Sequence, residues 1–172
     1  SVEILSRSQS LVDGINIHHK NPKYLSTFTL APTLRAINHI DAAQINDYTA
    51  IVIAVPMQAV RATLLPFAKT LSSAPLLVSA VKGIEISSSK FPLQVIEELC
   101  GKAIADRAVV LSGPSFAIEV AQKLPTAVVA ASKVQERAEL TQKIFHSSFF
   151  RVYTSDDPIG LEVAGALKNI IA

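Results

Sequence analysis

The chain lacks tryptophan, contains one cysteine and shows no large excess of either charge. Because Cys100 stands alone, the chain can form neither an internal disulfide framework nor the paired cysteine spacing of a zinc site. A reducing cytosol is the environment expected for such a protein, so we predict a cytoplasmic location. The formal net charge is +2 and the basic residues are scattered, which argues against a nucleic-acid-binding surface.

Long apolar runs and glycine-rich motifs are also missing. Apolar runs such as 50–56 and 127–131 are far shorter than the roughly 18 residues of a membrane helix, and no secretory leader is recognisable. The six glycines nowhere form G-x-G-x-x-G. Among the four histidines, the adjacent pair His18 and His19 has no metal-ligand spacing, so we predict no metal site. The loop around Ser115 is not G-x-S-x-G, which argues against a serine hydrolase.

Hydrophobic residues make up 49% of the 172 residues, enough for one full core. Several apolar segments are continuous and β-branched, which is typical of strands buried on both faces of a parallel sheet. The predicted strands are Val2–Ser6, Ile37–Ile40, Ala50–Val55, Leu76–Ala80, Ala108–Leu111, Thr126–Ala131 and Phe149–Tyr153. The predicted helices are Gln9–His18, Met57–Leu71 with a kink at Pro66, Leu93–Cys100, Pro114–Gln122, Lys133–His146 and Asp156–Ala172.

Strands that alternate with helices along the whole chain indicate an α/β fold: a doubly wound, Rossmann-like and mostly parallel sheet. Ligands of such sheets bind at the carboxyl ends of the strands. We therefore expect four loops to line one edge of the sheet. They are Arg7, "PMQ" at 56–58, "VKGIE" at 81–85 and "SGPSFA" at 112–117.

Each candidate residue in these loops has an ordinary structural explanation beside the functional one. Lys82 follows a strand and can meet a phosphate or a substrate oxygen, or it can be a plain surface lysine. In the next loop, Gly113 can let a ligand approach the backbone, and Ser115 offers a hydroxyl near a helix start, where an ordinary capping turn is equally consistent. Arg7 replaces the acid that selects NAD, so NADP is the favoured cofactor, although a surface arginine would look the same.

Lys168 lies beside the apolar stripe of the last predicted helix. Partial burial near a second lysine would allow its amine to transfer protons at a useful pH. The structural alternative is a lysine at the helix flank that extends its ammonium group into solvent. Its neighbour Asn169 can orient a substrate hydroxyl or cap a turn.

Five segments together resemble one known family. "NPKYL", "AVPMQAVR", "VKGIE", "LSGPSFAIEVAQKLPTAVV" and "RVYTSDDPIGLEVAGALKNIIA" follow in the order and spacing of the bacterial NAD(P)-dependent glycerol-3-phosphate dehydrogenases. The match runs over nearly all 172 residues, and "GPSFAIEV" and "GALKNIIA" are its most specific parts.

The resemblance implies an oxidoreductase that interconverts dihydroxyacetone phosphate and sn-glycerol 3-phosphate with NADP or NAD, for glycerophospholipid synthesis. By motif, Lys168 resembles the catalytic lysine and Asn169 the substrate-binding asparagine. Lys82 resembles the lysine that lies near both nicotinamide and substrate. The other implied contacts are to substrate at Gly113 and Ser115, and to cofactor at Ala117 and Arg7. A homodimer is also compatible with the resemblance.

The resemblance also implies segments that this chain does not show. In the family, a first strand and a G-x-G-x-W-G loop precede the part that resembles "VEILSRS", and a helical substrate domain follows "GALKNIIA". We therefore expect residues 1–155 to form an incomplete NAD(P)-binding domain and 156–172 the first helix of the substrate domain. Without the first strand the sheet should be open at its centre, and the 172 residues alone should be inactive and marginally stable.

Two alternatives remain open from the sequence. One is another dehydrogenase of the same broad fold, acting on 3-hydroxyacids or 6-phosphogluconate. The "GPSFAIEV" loop favours a glycerol-3-phosphate dehydrogenase over this alternative. The other is a non-catalytic α/β fragment, which the missing glycine loop would explain.

Overall fold

A computed structural model describes residues 1–171, and the side chains of residues 1–168. Strands and helices alternate along the chain, as the apolar pattern predicts. The strands are β1 (Val2–Leu5), β2 (Leu34–Ile37), β3 (Ile51–Ile53), β4 (Leu77–Ser79), β5 (Val109–Ser112), β6 (Thr126–Ala131) and β7 (Phe150–Ser155). The helices are α1 (Gln9–His18), α2 (Val60–Leu64), α3 (Ala68–Leu71), α4 (Pro92–Cys100), α5 (Lys102–Ala105), α6 (Ala117–Ala121), α7 (Gln135–Phe145) and α8 (Pro158–Ile171).

The strands form two sheets. β1 and β2 pair in parallel, with Val2 opposite Leu34. The other five strands lie in the order β3-β4-β5-β6-β7, and every neighbouring pair is parallel except β5 and β6. The doubly wound, mostly parallel class is confirmed.

The central strands are buried on both faces, which explains their continuous apolar sequences. In β4, Leu77 packs into a core shared with α2 and α4, whereas Val78 packs into the core on the opposite face, beside Phe145 of α7. A third, smaller core joins α1 to β2 through Val12 and Ile15. Helices on both faces of the sheet place β4 and β5 at the centre of the molecule.

Local signals set several helix ends. The hydroxyl of Ser8 accepts a hydrogen bond from the backbone N–H of Leu11 and caps α1. Pro92 occupies the first turn of α4, and Gly101 ends that helix with a φ of 93°. The carboxylate of Asp157 accepts the N–H of Gly160 at 2.8 Å at the start of α8. Such caps satisfy backbone groups that have no partner inside the helix.

Three predicted elements differ from the structure. β2 covers Leu34–Ile37 rather than Ile37–Ile40, because Arg35 points to solvent within a strand whose buried residue is Ala36. The predicted helix Met57–Leu71 is broken into short pieces around Pro66, in line with the expected kink. The helix predicted from Pro114 begins only at Ala117, because residues 113–116 form the loop after β5.

No helix within residues 1–171 combines the length and the apolar character that a membrane crossing requires.

Candidate active site

Three of the four predicted loops meet at the carboxyl ends of β3, β4 and β5. These strands run parallel, so their ends share one edge. The amide of Gln58, after β3, donates to the carbonyl of Ile84 at 2.8 Å and accepts the N–H of Ile86 at 3.1 Å. This pair of hydrogen bonds joins the "PMQ" loop to the "VKGIE" loop.

Lys82 joins the second loop to the third. Its Nζ donates a 2.7 Å hydrogen bond to the carbonyl oxygen of Gly113. Partial burial lowers the pKa of Lys82 from its ordinary value, and the positive charge of Lys168 lowers it further. The side chain is therefore a partly buried cation held at the sheet edge, near a second cation on α8.

Helix α8 comes close to β5 because it carries a glycine at the point of contact. A Cβ added to Gly165 would lie 2.9 Å from the Oγ of Ser112, closer than real Cβ atoms come to a hydroxyl. Ser112 is 5% exposed, so it has little room to move. The close contact between α8 and β5 brings Lys168, three residues after Gly165, near the "VKGIE" loop that carries Lys82.

The ammonium of Lys168 lies over an aromatic ring. Its Nζ is 4.5 Å from the centroid of Phe116, which immediately precedes α6. This distance falls within the range of a cation–π contact. Phe116 was not among the predicted site residues. Its position inside the "SGPSFA" motif was the one sequence signal that could have suggested it.

The remaining residues of this loop have distinct surroundings. A Cβ on Gly113 would lie 2.8 Å from the carbonyl oxygen of Ala127, so the missing side chain makes room for β6. The hydroxyl of Ser115 points to the Gly113 carbonyl at 3.5 Å, a long contact, and does not cap α6. Ala117 is exposed at the start of α6. The hydroxyl predicted at a helix start therefore lies in the loop instead.

Two predicted site residues remain, Arg7 and Asn169. Arg7 is exposed and follows β1, in the two-stranded sheet. Asn169 follows Lys168 in α8, and its side chain lies outside the described residues.

An ion pair between a half-exposed arginine and a buried carboxylate supports the "VKGIE" loop and was not predicted. Glu85 is 4% exposed and accepts hydrogen bonds from Nε and Nη2 of Arg61, with Nε shared between both carboxylate oxygens, and from the hydroxyl of Ser88. The bonds from Arg61 and then Ser88 lower the pKa of Glu85 to about 2. Arg61 also binds Glu98 on α4 at 2.7 Å. A carboxylate paired in this way fixes the loop that carries Lys82.

A second buried acid lies on α8. Glu162 is 5% exposed, and its Oε1 accepts the N–H of Leu93 at 2.9 Å in the first turn of α4. Burial raises the pKa of Glu162 to about 7, although the hydrogen bond from Leu93 acts in the opposite direction. This contact ties the helix of Lys168 to α4.

The fold and the polar edge of the sheet define a Rossmann-like domain. Residues 1–138 match the family model described as NAD-dependent glycerol-3-phosphate dehydrogenase N-terminus. The chain belongs to this family.

Named relatives agree with this assignment. The chain is 39% identical to a "Glycerol-3-phosphate dehydrogenase [NAD(P)+]" of Clostridium botulinum, over all of this chain and 51% of that protein. It is 41% identical to the protein of that name from Bacillus anthracis, over 99% of this chain and 50% of the relative. The chain thus spans about half the length of the curated relatives it matches.

Solved structures give the same result. The crystal structure of glycerol-3-phosphate dehydrogenase from Coxiella burnetii matches with a TM-score of 0.88 and 30% identity, covering 99% of this chain and 51% of that one. A ternary complex of GDP-mannose dehydrogenase from Pseudomonas aeruginosa matches with a TM-score of 0.67 at 12% identity, over 98% of this chain and 43% of that one, which shows a shared fold alone.

Proposed function

We propose that this chain supplies the nucleotide-binding part and the catalytic lysine of an NAD(P)-dependent glycerol-3-phosphate dehydrogenase. The reaction would interconvert dihydroxyacetone phosphate and sn-glycerol 3-phosphate. The observation that carries this proposal is the meeting of Lys82 and Lys168 on one loop, Ser112–Phe116, in a chain of this family. Two neighbouring cations suit a substrate that carries a phosphate and develops negative charge on an oxygen.

The residues at the sheet edge fit a dinucleotide. Lys82 is a half-buried cation, and Gly83 beside it leaves open space, since an added Cβ would meet only Met57, at 3.7 Å. Ala117 presents a small, exposed side chain after the third loop. Arg7 is an exposed cation after β1, where the 2′-phosphate of NADP would be read. NADP is therefore the proposed cofactor, with NAD as the alternative.

Lys168 and Lys82 have separate roles in the proposed reaction. NAD(P)H held at the sheet edge beside Lys82 and Ala117 would supply the hydride needed to reduce the keto group of the substrate. The ammonium of Lys168 donates a proton to the oxygen on C2, and Lys82 stabilises negative charge on that oxygen. In the reverse direction, neutral Lys168 accepts the hydroxyl proton of glycerol 3-phosphate. Gly113, Ser115 and Asn169 are proposed to contact the substrate.

The test is turnover by the intact protein and its Lys168→Ala variant, with dihydroxyacetone phosphate and NADPH. We expect kcat to fall by about two orders of magnitude or more, because general acid catalysis contributes factors of that size. The Kd for NADPH should change little. Lys143→Ala, an exposed lysine on α7, is the matched control. Near-wild-type turnover without Lys168 would refute its assignment, and turnover of 3-hydroxyacids instead would favour the related dehydrogenase class.

Arg7 is expected to select the cofactor. Replacing it by aspartate removes a cation and adds an acid, which should repel a 2′-phosphate and accept a hydrogen bond from a 2′-hydroxyl. Arg7→Asp should therefore raise the KM for NADPH while leaving that for NADH equal or lower. An unchanged ratio of the two values would show that Arg7 does not read the phosphate.

Several wider assignments belong to the same proposal. Residues 1–155 would form the NAD(P)-binding domain, and residues 156–172 the first helix of a substrate domain. The family role in glycerophospholipid synthesis, a cytoplasmic location and a homodimer are proposed with it. A non-catalytic role would be supported if the intact protein bound neither cofactor.

A further inference from the structure

The aromatic ring of Phe116 has an unusual position for a large apolar side chain. It is 58% exposed and belongs to none of the three cores that the described residues form. Its face nevertheless lies against the ammonium of Lys168, 4.5 Å from the ring centroid to Nζ. Core packing therefore does not explain the ring, whereas a contact with the lysine does.

The ammonium of Lys168 is repelled by the like charge of Lys82. The charge of Lys168 is one of the two causes that lower the pKa of Lys82, so the two ammonium groups are near enough to repel. Lys82 is held by a hydrogen bond to the carbonyl of Gly113. For Lys168, the negative face of the ring offers the corresponding attraction.

The loop Ser112–Phe116 thus holds one lysine at each end. Gly113 provides a carbonyl dipole and Phe116 a ring quadrupole, and both favour a cation at a fixed place. A lysine side chain has four rotatable bonds, so a contact at its tip limits the positions that its proton donor can occupy. Holding a proton donor close to the atom that it protonates increases the reaction rate.

We propose that Phe116 is a positioning residue for Lys168, holding its ammonium over the ring face at the point where the substrate oxygen is protonated. This inference rests on the proposed dehydrogenase function. It predicts that the aromatic character of the side chain matters, rather than its volume.

The experiment compares Phe116→Leu with Phe116→Tyr in the intact protein. Leucine keeps an apolar side chain but has no ring face, whereas tyrosine keeps the face. With dihydroxyacetone phosphate and NADPH, kcat of the leucine variant should fall about two- to fivefold, matching an exposed cation–π contact. The tyrosine variant should recover most of that loss, and the Kd for NADPH should be unchanged in both.

A second comparison separates positioning from packing. In a Lys168→Ala background, Phe116→Leu should have no further effect on the residual rate, because the partner of the ring is gone. Equal losses in the leucine and tyrosine variants, or an undiminished effect without Lys168, would overturn the proposal.

A spectroscopic measurement keeps the contact testable without activity. With lysine labelled at the ε carbon, the ε-methylene signal of Lys168 should be shifted upfield by the ring current in wild type and return to normal in Phe116→Leu. The exposed Lys69 is the internal control. No shift would overturn the contact itself. A shift in a protein that does not reduce dihydroxyacetone phosphate would support the contact while refuting the proposed function.

Discussion

At the scale of single residues, the distance between α8 and β5 depends on Gly165. An added Cβ would approach the hydroxyl of Ser112 to 2.9 Å but would keep an ordinary 3.9 Å from the Ser112 Cβ. The hydroxyl is therefore the main obstacle. Because Ser112 is buried in close packing, neither its hydroxyl nor α8 can give way without disturbing neighbouring contacts.

Gly165→Ala should therefore shift α8, displace Lys168 and lower kcat. Overpacking should also lower the free energy of unfolding by about 1–3 kcal/mol. Ser112→Ala should restore both in the double variant, since it removes the obstructing Oγ. Urea unfolding and steady-state turnover of the two single variants and the double variant measure this. Losses that simply add in the double variant would contradict the steric explanation.

Sequence reasoning selected Lys82 and Lys168 as candidates because each lies in a recognisable motif, and the structure brings the two lysines to one loop. It missed Phe116, Arg61, Glu85 and Glu162, whose roles depend on partners far along the chain. Arg61 and Glu85 are 24 residues apart, and Leu93 and Glu162 are 69 apart. No local pattern encodes such pairs, and a charged residue gives no sign in sequence that it will be buried.

At the scale of secondary-structure elements, Glu162 links α8 to α4. Its pKa is raised to about 7 by burial, from 4.5 in an exposed glutamate. Between these values the folded protein keeps the proton while the unfolded chain loses it. The free energy of unfolding should therefore fall as pH rises from about 4.5 to 7, by about 3 kcal/mol at most.

Glu162→Gln should remove this dependence, because the amide oxygen can still accept the Leu93 N–H but carries no titrating proton. Urea unfolding of both proteins should be measured between pH 4.5 and 8. The free energy of unfolding of the variant minus that of the wild type should increase with pH and level off above pH 7. Glu136→Gln, an exposed substitution on α7, controls for changes in net charge. A flat difference curve would show that Glu162 titrates normally.

The seven strands and the longer helices followed from the apolar pattern in the right order, whereas the short helix α5 and some boundaries did not. β4 and β5 were recognisable because burial on both faces leaves them continuously apolar. The predicted β2 begins three residues too late, because Arg35 interrupts the apolar run of the observed strand. The exposure of Arg35 is evident only once β2 is paired with β1. Pro114 suggested a helix start, but the loop that holds both lysines occupies that position instead.

At the scale of the whole molecule, residues 1–40 are weakly joined to the five-stranded sheet. β1 is exposed along its whole length, including Ile4 at 38% and Leu5 at 45%. Among residues 1–168, the small core beneath α1 contains three buried residues, whereas the core beneath α4 contains sixteen. A hydrogen bond from the hydroxyl of Tyr48 to Glu3 ties the two parts together.

This asymmetry predicts that the two parts of the 172-residue chain open separately. A segment with little buried apolar area opens at a lower free energy than the global transition. In hydrogen exchange, amides of α1 and β2 should therefore exchange well before those of β4 and β5. Tyr48→Phe removes the hydrogen bond to Glu3, so it should speed exchange in α1 and β2 alone. Equal protection across all four elements would mean that the two sheets unfold as one cooperative unit.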